Sequence, residues 1–300
     1  MGDRIELLCR GGVALLLAVA CVGCQRKVDL GPVADLRTAS AMRAALSSGE
    51  GTAGDNAAAQ VGTGWATLRG QFIYDGDPPQ RPPYNVTKEP AICAPGGQAP
   101  LQETLVVDSA TNGIQNVAVY LRNASRVHES AGPRSEPIEF DQKVCVFLTH
   151  VAHVTVGETL QIKNSDPTGH NTNILGIGFN QLIPAGGATP YAIQRDAAIP
   201  SKVVCSIHPW MEAYLLARED GYHAVTDAEG RFEIANLPAG EEIELQVWHE
   251  IGGGQGNGLV GASPDAPELK WSNRGRVTFT LQPDEVKEIK VIVPPSAFRG

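Results

Sequence analysis

The feature that most constrains this chain is the segment from Cys205 to Met211, with the sequence Cys-Ser-Ile-His-Pro-Trp-Met. It places a thiol, an imidazole and a thioether in one short loop, and a second imidazole, His170, lies upstream. One thiolate and two imidazoles with a weak axial methionine suit copper, whereas structural zinc takes four strong sulfur or nitrogen ligands. His170, Cys205, His208 and Met211 are therefore the candidate ligands of a single type 1 copper ion.

Strand patterns flank this segment and predict how the ligands come together. Residues 200–205 and 212–217 have strand-forming sequences and predict a hairpin with three of the ligands in its loop. Upstream, residues 158–164 predict another strand, and the turn-forming residues after it lead to His170. The fourth ligand is thus expected from a neighbouring strand.

Over about residues 143–217 the chain resembles the cupredoxins, the family of plastocyanin and azurin. The resemblance rests on Gly-Glu-Thr-Leu at 157–160, on the segment 164–171 that ends in His-Asn, and on the Cys-x-x-His-x-x-Met loop, whose spacing is most similar to amicyanin. It implies a Greek-key β-sandwich in which Met211 is the axial ligand and Asn171 holds the Cys205 loop by hydrogen bonds.

Each ligand residue also has a simpler interpretation. A single cysteine in a strand is more often a small buried hydrophobe, a single methionine fills a core, and a single histidine is structural or exposed. The joint occurrence of all four at this spacing favours copper over coincidence. A cupredoxin that has lost its copper is the stronger alternative, but all four ligand positions are filled.

Composition and charge favour an all-β protein of about two domains. The 300 residues include 33 Gly and 21 Pro, and long apolar stripes with the helical period are nearly absent. The net charge of −9 argues against a nucleic-acid partner, since phosphate binding relies on a basic surface. The sequence contains no Gly-rich phosphate loop, no Gly-x-Ser-x-Gly motif and no His-x-His pair of a multicopper oxidase, so we expect no enzymatic activity.

The N-terminus resembles a bacterial lipoprotein signal. A positively charged start precedes the apolar run 11–20, which is too short to cross a bilayer as a helix. Small residues precede both Cys21 and Cys24, so residues 1–24 are predicted to be the signal peptide and either cysteine is a candidate for lipidation. The Ala-, Gly- and Ser-rich residues 25–62 predict a flexible tether. We expect a protein anchored by lipid to a bacterial membrane, in the periplasm or at the cell surface.

Cysteine usage fits an oxidising compartment. Of the six cysteines, three lie in or next to the signal and Cys205 is assigned to copper, which leaves Cys93 and Cys145. We expect these two to form a disulfide. The alternative is two separate thiols.

A second β-rich region surrounds the copper region. The signature Thr-Asp-x-x-Gly-x-Phe-x-Ile-x-x-Leu-Pro-x-Gly at 226–240 resembles carboxypeptidase regulatory-like β-sandwiches. Residues 63–126 and 222–298 would then form one split sandwich with the copper domain, 140–221, inserted between its halves. Alternatively, two domains follow each other, and 63–126 supplies opening strands to the cupredoxin. The whole arrangement resembles secreted planctomycete-type proteins labelled methylamine-utilisation proteins.

The remaining histidines are not predicted to bind metal. His150 and His153 lie three positions apart on a predicted strand, which would put them on opposite faces. His223 and His249 flank the second sandwich and are expected to be structural or exposed.

The expected function is electron transfer. By resemblance to the cupredoxins, His208 would present its imidazole edge at the surface beside Pro209 and Trp210, where a redox partner such as a periplasmic cytochrome or oxidoreductase would dock. A buried, structural Trp210 is the alternative at that position. A different function is a cell-surface module that binds carbohydrate or protein through its regulatory-like sandwich, with the cupredoxin region as a copper-free scaffold.

Overall fold

The computed structural model describes residues 62–299. The predicted signal peptide, the candidate lipidation sites Cys21 and Cys24, and the tether up to residue 61 lie outside the described residues. In the described part, no helix is both long and apolar enough to cross a membrane.

Residues 62–299 form an all-β fold, as their composition predicted, with a single short α-helix, α1 (Pro90–Cys93). The strands in chain order are β1 (Trp65–Tyr74), β2 (Ala118–Leu121), β3 (Ile138–Lys143), β4 (Val146–Phe147), β5 (Val151–Thr155), β6 (Thr159–Asn164), β7 (His170–Ile174), β8 (Phe179–Ile183), β9 (Ala188–Ala192), β10 (Ser201–Val204), β11 (Glu212–Arg218), β12 (His223–Val225), β13 (Arg231–Pro238), β14 (Glu242–Trp248), β15 (Lys270–Trp271), β16 (Arg276–Thr280) and β17 (Val286–Val293).

Two sheets use only strands β3 to β11. One has the order β5-β11-β10-β7-β8 and the other the order β4-β3-β6-β9. In β6, alternate residues are buried, so Leu160 and Ile162 point to the same side, as the two-residue period of a strand requires. These side chains share a hydrophobic core that also contains Cys205 and Met211. Two of the candidate ligands, Cys205 and Met211, therefore belong to a packed β core.

Two further sheets take strands from both sides of that region. Their orders are β13-β1-β17 and β12-β2-β14-β16-β15, and β1 pairs antiparallel with β13 but parallel with β17. Leu68, Val119, Phe232 and Val291 belong to the core of these two sheets. An insertion of β3 to β11 into a second sandwich would require this distribution of strands. The domain boundaries and the likeness to carboxypeptidase regulatory-like domains stay predictions.

A small third cluster joins the two groups of sheets. Tyr120 and Trp248, from β2 and β14, pack with Val151 and Leu216, from β5 and β11. The Tyr120 hydroxyl also donates a hydrogen bond to the carbonyl of Ala198 at 2.9 Å. Large buried aromatics contribute about 1.5–3 kcal/mol each through burial. This packing brings β5 beside β12.

Candidate metal centre

The four predicted ligands come from one loop and one neighbouring strand. Cys205, His208 and Met211 lie in the loop between the antiparallel strands β10 and β11, and His170 is the first residue of β7, which pairs with β10. The loop is closed by its own backbone. The N–H of Met211 donates a hydrogen bond to the carbonyl of His208 at 2.9 Å. The N–H of Cys205 donates a hydrogen bond to the carbonyl of Met211 at 3.2 Å.

The donor atoms of three of these residues converge. Nδ1 of His170 and Nδ1 of His208 are 3.0 Å apart, and the Cys205 sulfur lies within 4.8 Å of a ring nitrogen of each. All three side chains are buried, and Met211 is buried in the same core. A soft sulfur with two imidazole nitrogens is a donor set that suits copper in both oxidation states. The residues present therefore fit a copper ion.

Hydrogen bonds favour the thiolate form of Cys205. Its sulfur accepts the backbone N–H groups of Asn171 at 3.3 Å and of His208 at 3.4 Å. Burial raises the pKa of Cys205, but His170 and these N–H groups lower it more, to below its usual value. Burial likewise lowers the pKa of His170, whereas its hydrogen bonds to Asp166 and Cys205 raise it to about 9. The thiolate is the form that binds metal.

Asn171 connects the ligand loop to the neighbouring strand. Its side-chain oxygen accepts hydrogen bonds from the N–H of Ser206 at 3.2 Å and from the Ser206 hydroxyl at 3.0 Å. Its amide nitrogen donates to Asn180 at 2.8 Å and to the carbonyl of Gln181 at 3.1 Å. Asn171 thus ties the residue after Cys205 to β8, which limits movement of the thiol.

Asp166, which the sequence predicts only as part of a turn, contacts one of the candidate ligands. Its carboxylate accepts the Nε2 proton of His170 at 2.8 Å and the N–H groups of Val144 and Cys145 at 2.7 and 2.8 Å. Burial raises the pKa of Asp166, but these donors together lower it below its usual value. A carboxylate on Nε2 fixes the ring tautomer and leaves the Nδ1 lone pair of His170 free for a metal.

The turn that binds Asp166 is itself unusual. Lys143 pairs with Val146, so Val144 and Cys145 form a two-residue hairpin loop, with φ angles of 52° and 53°. Such a loop needs positive φ at both positions and usually contains Asn or Gly, because a β-branched residue is strained there. The two N–H groups point to one carboxylate, and Cys145 is joined by a disulfide to Cys93 of α1. These contacts hold the turn in its strained form.

A segment before β2 covers the second imidazole. The carboxylate of Glu89 lies 2.8 Å from Nε2 of His208, and Glu89 itself has a left-handed backbone with φ of 46° at the start of α1. Burial lowers the pKa of His208 below its usual value, although the hydrogen bond to Glu89 raises it in part. The same hydrogen bond lowers the pKa of Glu89. His208 is 0% exposed. The prediction that its edge lies at the surface is wrong, because a segment 119 residues earlier in the chain packs over it.

Trp210 packs on the same imidazole. Its ring centroid lies 5.2 Å from that of His208, and its Nε1 proton is donated to the carbonyl of Cys145 at 3.1 Å. Trp210 is half-buried and Pro209 is exposed. These contacts support a structural role for Trp210. A docking role for Pro209 and Trp210 stays a prediction.

The other histidines occupy separate environments. His150 and His153 have different partners, Glu250 for the first and His223 for the second. His223 and His249, expected to be structural or exposed, are both buried. Within residues 62–299, every group of three potential ligand side chains includes His170 or His208, and the groups other than His170, Cys205 and His208 contain disulfide-bonded cysteine.

Comparisons with known proteins give only partial similarities. No protein-family model and no curated protein matches the chain. Similar solved structures include a copper-containing nitrite reductase from Thermus scotoductus, with 18% identity over 29% of this chain and 23% of that chain and a TM-score of 0.26. They also include amicyanin from Paracoccus versutus, with 16% identity over 33% of this chain and 97% of that chain and a TM-score of 0.26. A reduced Cu(I) form of an amicyanin variant at pH 4 has 18% identity over 33% and 98% of the two chains and a TM-score of 0.26. This chain thus spans less than a quarter of the nitrite reductase, and overlaps with such TM-scores do not establish a family.

Proposed function

We propose that the protein is a one-electron carrier with a single type 1 copper ion held by His170, Cys205, His208 and Met211. The observation that carries the proposal is the convergence of two imidazole Nδ1 atoms and one buried thiol on one point. When bound, copper would supply a Cu(II)/Cu(I) couple.

The surrounding residues suit transfer of an electron better than chemistry on a substrate. Asp166 contacts Nε2 of His170, and Glu89 contacts Nε2 of His208. These contacts fix the orientation of both rings and leave Nδ1 of each ring as the atom that can bind the metal. The donor side chains of His170, Cys205 and His208 are buried, so the protein shields them from solvent. A held set of ligands reduces the rearrangement that accompanies a change of oxidation state.

We also propose a location outside the cytoplasm. The disulfide between Cys93 and Cys145 supports it, because disulfides persist in oxidising compartments. Lipidation at Cys21 or Cys24 would anchor the protein to a bacterial membrane there, and its redox partner would be a periplasmic cytochrome or oxidoreductase.

Voltammetry of the mature protein, loaded with Cu(II) and immobilised, tests this function. We expect one copper per chain and a reversible one-electron wave. Met211→Leu should keep the wave but move its midpoint, since the axial ligand tunes the potential. A stoichiometric preference for zinc, or copper that gives no reversible wave, would contradict the proposal.

A further inference from the structure

A second pair of imidazoles lies outside the proposed copper ligands. His153 of β5 and His223 of β12 meet where these two strands pack together. Their Nδ1 atoms are 2.8 Å apart, with ring centroids 5.0 Å apart and ring planes at 80°. His170 and His208 are arranged in a similar way, with an Nδ1 separation of 3.0 Å, a centroid separation of 4.7 Å and a plane angle of 63°.

The two rings share one hydrogen bond, and a second contact sets the tautomer of His223. Nε2 of His223 lies 3.1 Å from the hydroxyl of Thr155, which can accept its proton and leave Nδ1 as an acceptor. Burial lowers the pKa of His153 to about 4 and that of His223 to about 3. Both rings are therefore uncharged at neutral pH, the form in which imidazole binds a metal.

The two rings also line a cavity of about 710 Å³. Its wall includes the carboxylates of Asp227, Glu233 and Asp265 together with basic side chains such as Lys290. This space can hold water molecules or a small anion beside the imidazoles. In this it differs from the first centre, where Glu89 and Asp166 cover the ligand rings.

We propose that His153 and His223 form a second site, at the wall of this cavity, for a divalent transition-metal ion, with Cu(II) preferred. Metal–nitrogen bonds of about 2.0 Å to nitrogens 2.8 Å apart subtend an angle of about 90°. Cu(II) accepts this angle between neighbouring ligands in tetragonal coordination, and it binds imidazole nitrogen more strongly than the other divalent first-row ions do. Water or a small anion from the cavity completes the coordination, so the ion exchanges readily with solvent.

The test is a Cu(II) titration of the full chain, followed by equilibrium dialysis and electron paramagnetic resonance. We expect the wild type to bind a copper ion with a tetragonal signal coupled to two nitrogens, in addition to any ion at Cys205. His153→Gln and His223→Gln should each lower the affinity for this ion by at least about tenfold. His128→Gln is the matched control, because His128 does not line the cavity.

The outcome does not depend on the first centre, since the site is identified by its loss in His153→Gln and not by total copper. If His223→Gln fails to fold, His153→Gln and the wild-type signal still decide. A wild type without the two-nitrogen signal would overturn the proposal and leave the two rings sharing only a hydrogen bond. A His153→Gln variant that binds the ion as tightly as His128→Gln would overturn it as well.

Discussion

Asp166 accepts the Nε2 proton of His170 at 2.8 Å, and the same carboxylate binds two backbone N–H groups of the strained turn at Val144 and Cys145. One buried carboxylate thus connects a candidate copper ligand to a hairpin turn and, through Cys145, to the disulfide with Cys93. The position of His170 is consequently set by long-range contacts as well as by its own strand.

Asp166→Asn tests this connection. The amide cannot supply the negative charge that stabilises Cu(II) through His170, so copper affinity should fall by about 10- to 100-fold and the reduction potential should rise. Competition with a chelator and voltammetry measure the two effects. Glu139→Gln is the control, because Glu139 is exposed and forms an ion pair with Lys163, away from the candidate ligands. An Asp166→Asn protein with the affinity and potential of this control would contradict the assigned role.

Glu89 is expected to slow the loss of copper. Glu89→Gln weakens the contact that covers His208 at 2.8 Å, so bound copper should pass to a chelator about tenfold faster. Stopped-flow measurement of the loss of colour gives the rate. Glu136→Gln, at an exposed position, should exchange at the wild-type rate. Equal rates for Glu89→Gln and wild type would show that Glu89 does not limit access.

The turn at Val144 offers a test by stabilisation. Asn tolerates positive φ better than a β-branched residue, so Val144→Asn should raise the free energy of unfolding by about 1 kcal/mol. Val146→Asn is the matched control. Val146 lies in β4 and does not have a positive φ, so Asn at this position should lower the free energy of unfolding. Urea unfolding measures both. A loss of stability in Val144→Asn equal to that in Val146→Asn would contradict a strained turn.

The metal-free protein should lose stability as the pH falls below about 6.5. Burial lowers the pKa of His153 to about 4 and those of His223 and His249 to about 3, so each binds a proton in the unfolded chain before the folded one. Their contribution to the free energy of unfolding is complete above the unfolded pKa of about 6.5 and is lost towards pH 4. For three protons, the free energy of unfolding should change by up to about 4 kcal/mol per pH unit. Urea unfolding between pH 6 and pH 4 measures the slope. His170, whose folded pKa is raised to about 9, contributes with the opposite sign mainly above this range. A flat profile would contradict the burial of these imidazoles.

The candidate site was predictable where the chemistry is local. The spacing from Cys205 to Met211 predicts one loop with three donors, and the turn before His170 predicts a ligand from another strand. The contacts of Glu89 were not predictable, because they join residues 119 positions apart and no motif marks them. The motif also predicted wrongly that the edge of His208 lies at the surface. A short motif does not reveal which distant segment packs over its histidine.

The fold shows the same limit. Residues 65–74 have the alternating sequence of a strand, and they form β1. The turn at Val144 and Cys145 was not predictable from the sequence, because neither Gly nor Asn marks its two positions of positive φ. The parallel pairing of β1 with β17 joins residues more than 200 positions apart, and strand patterns alone do not specify such a pairing.

The most direct test of the copper centre is the visible spectrum of the mature protein after addition of Cu(II). We expect an intense charge-transfer band from the Cys205 thiolate to copper, and Cys205→Ser should abolish it. Ser206→Ala, next to the ligand, should keep the band. A wild type that stays colourless after Cu(II) loading, or a Cys205→Ser protein that retains the band, would contradict a type 1 copper site in this protein.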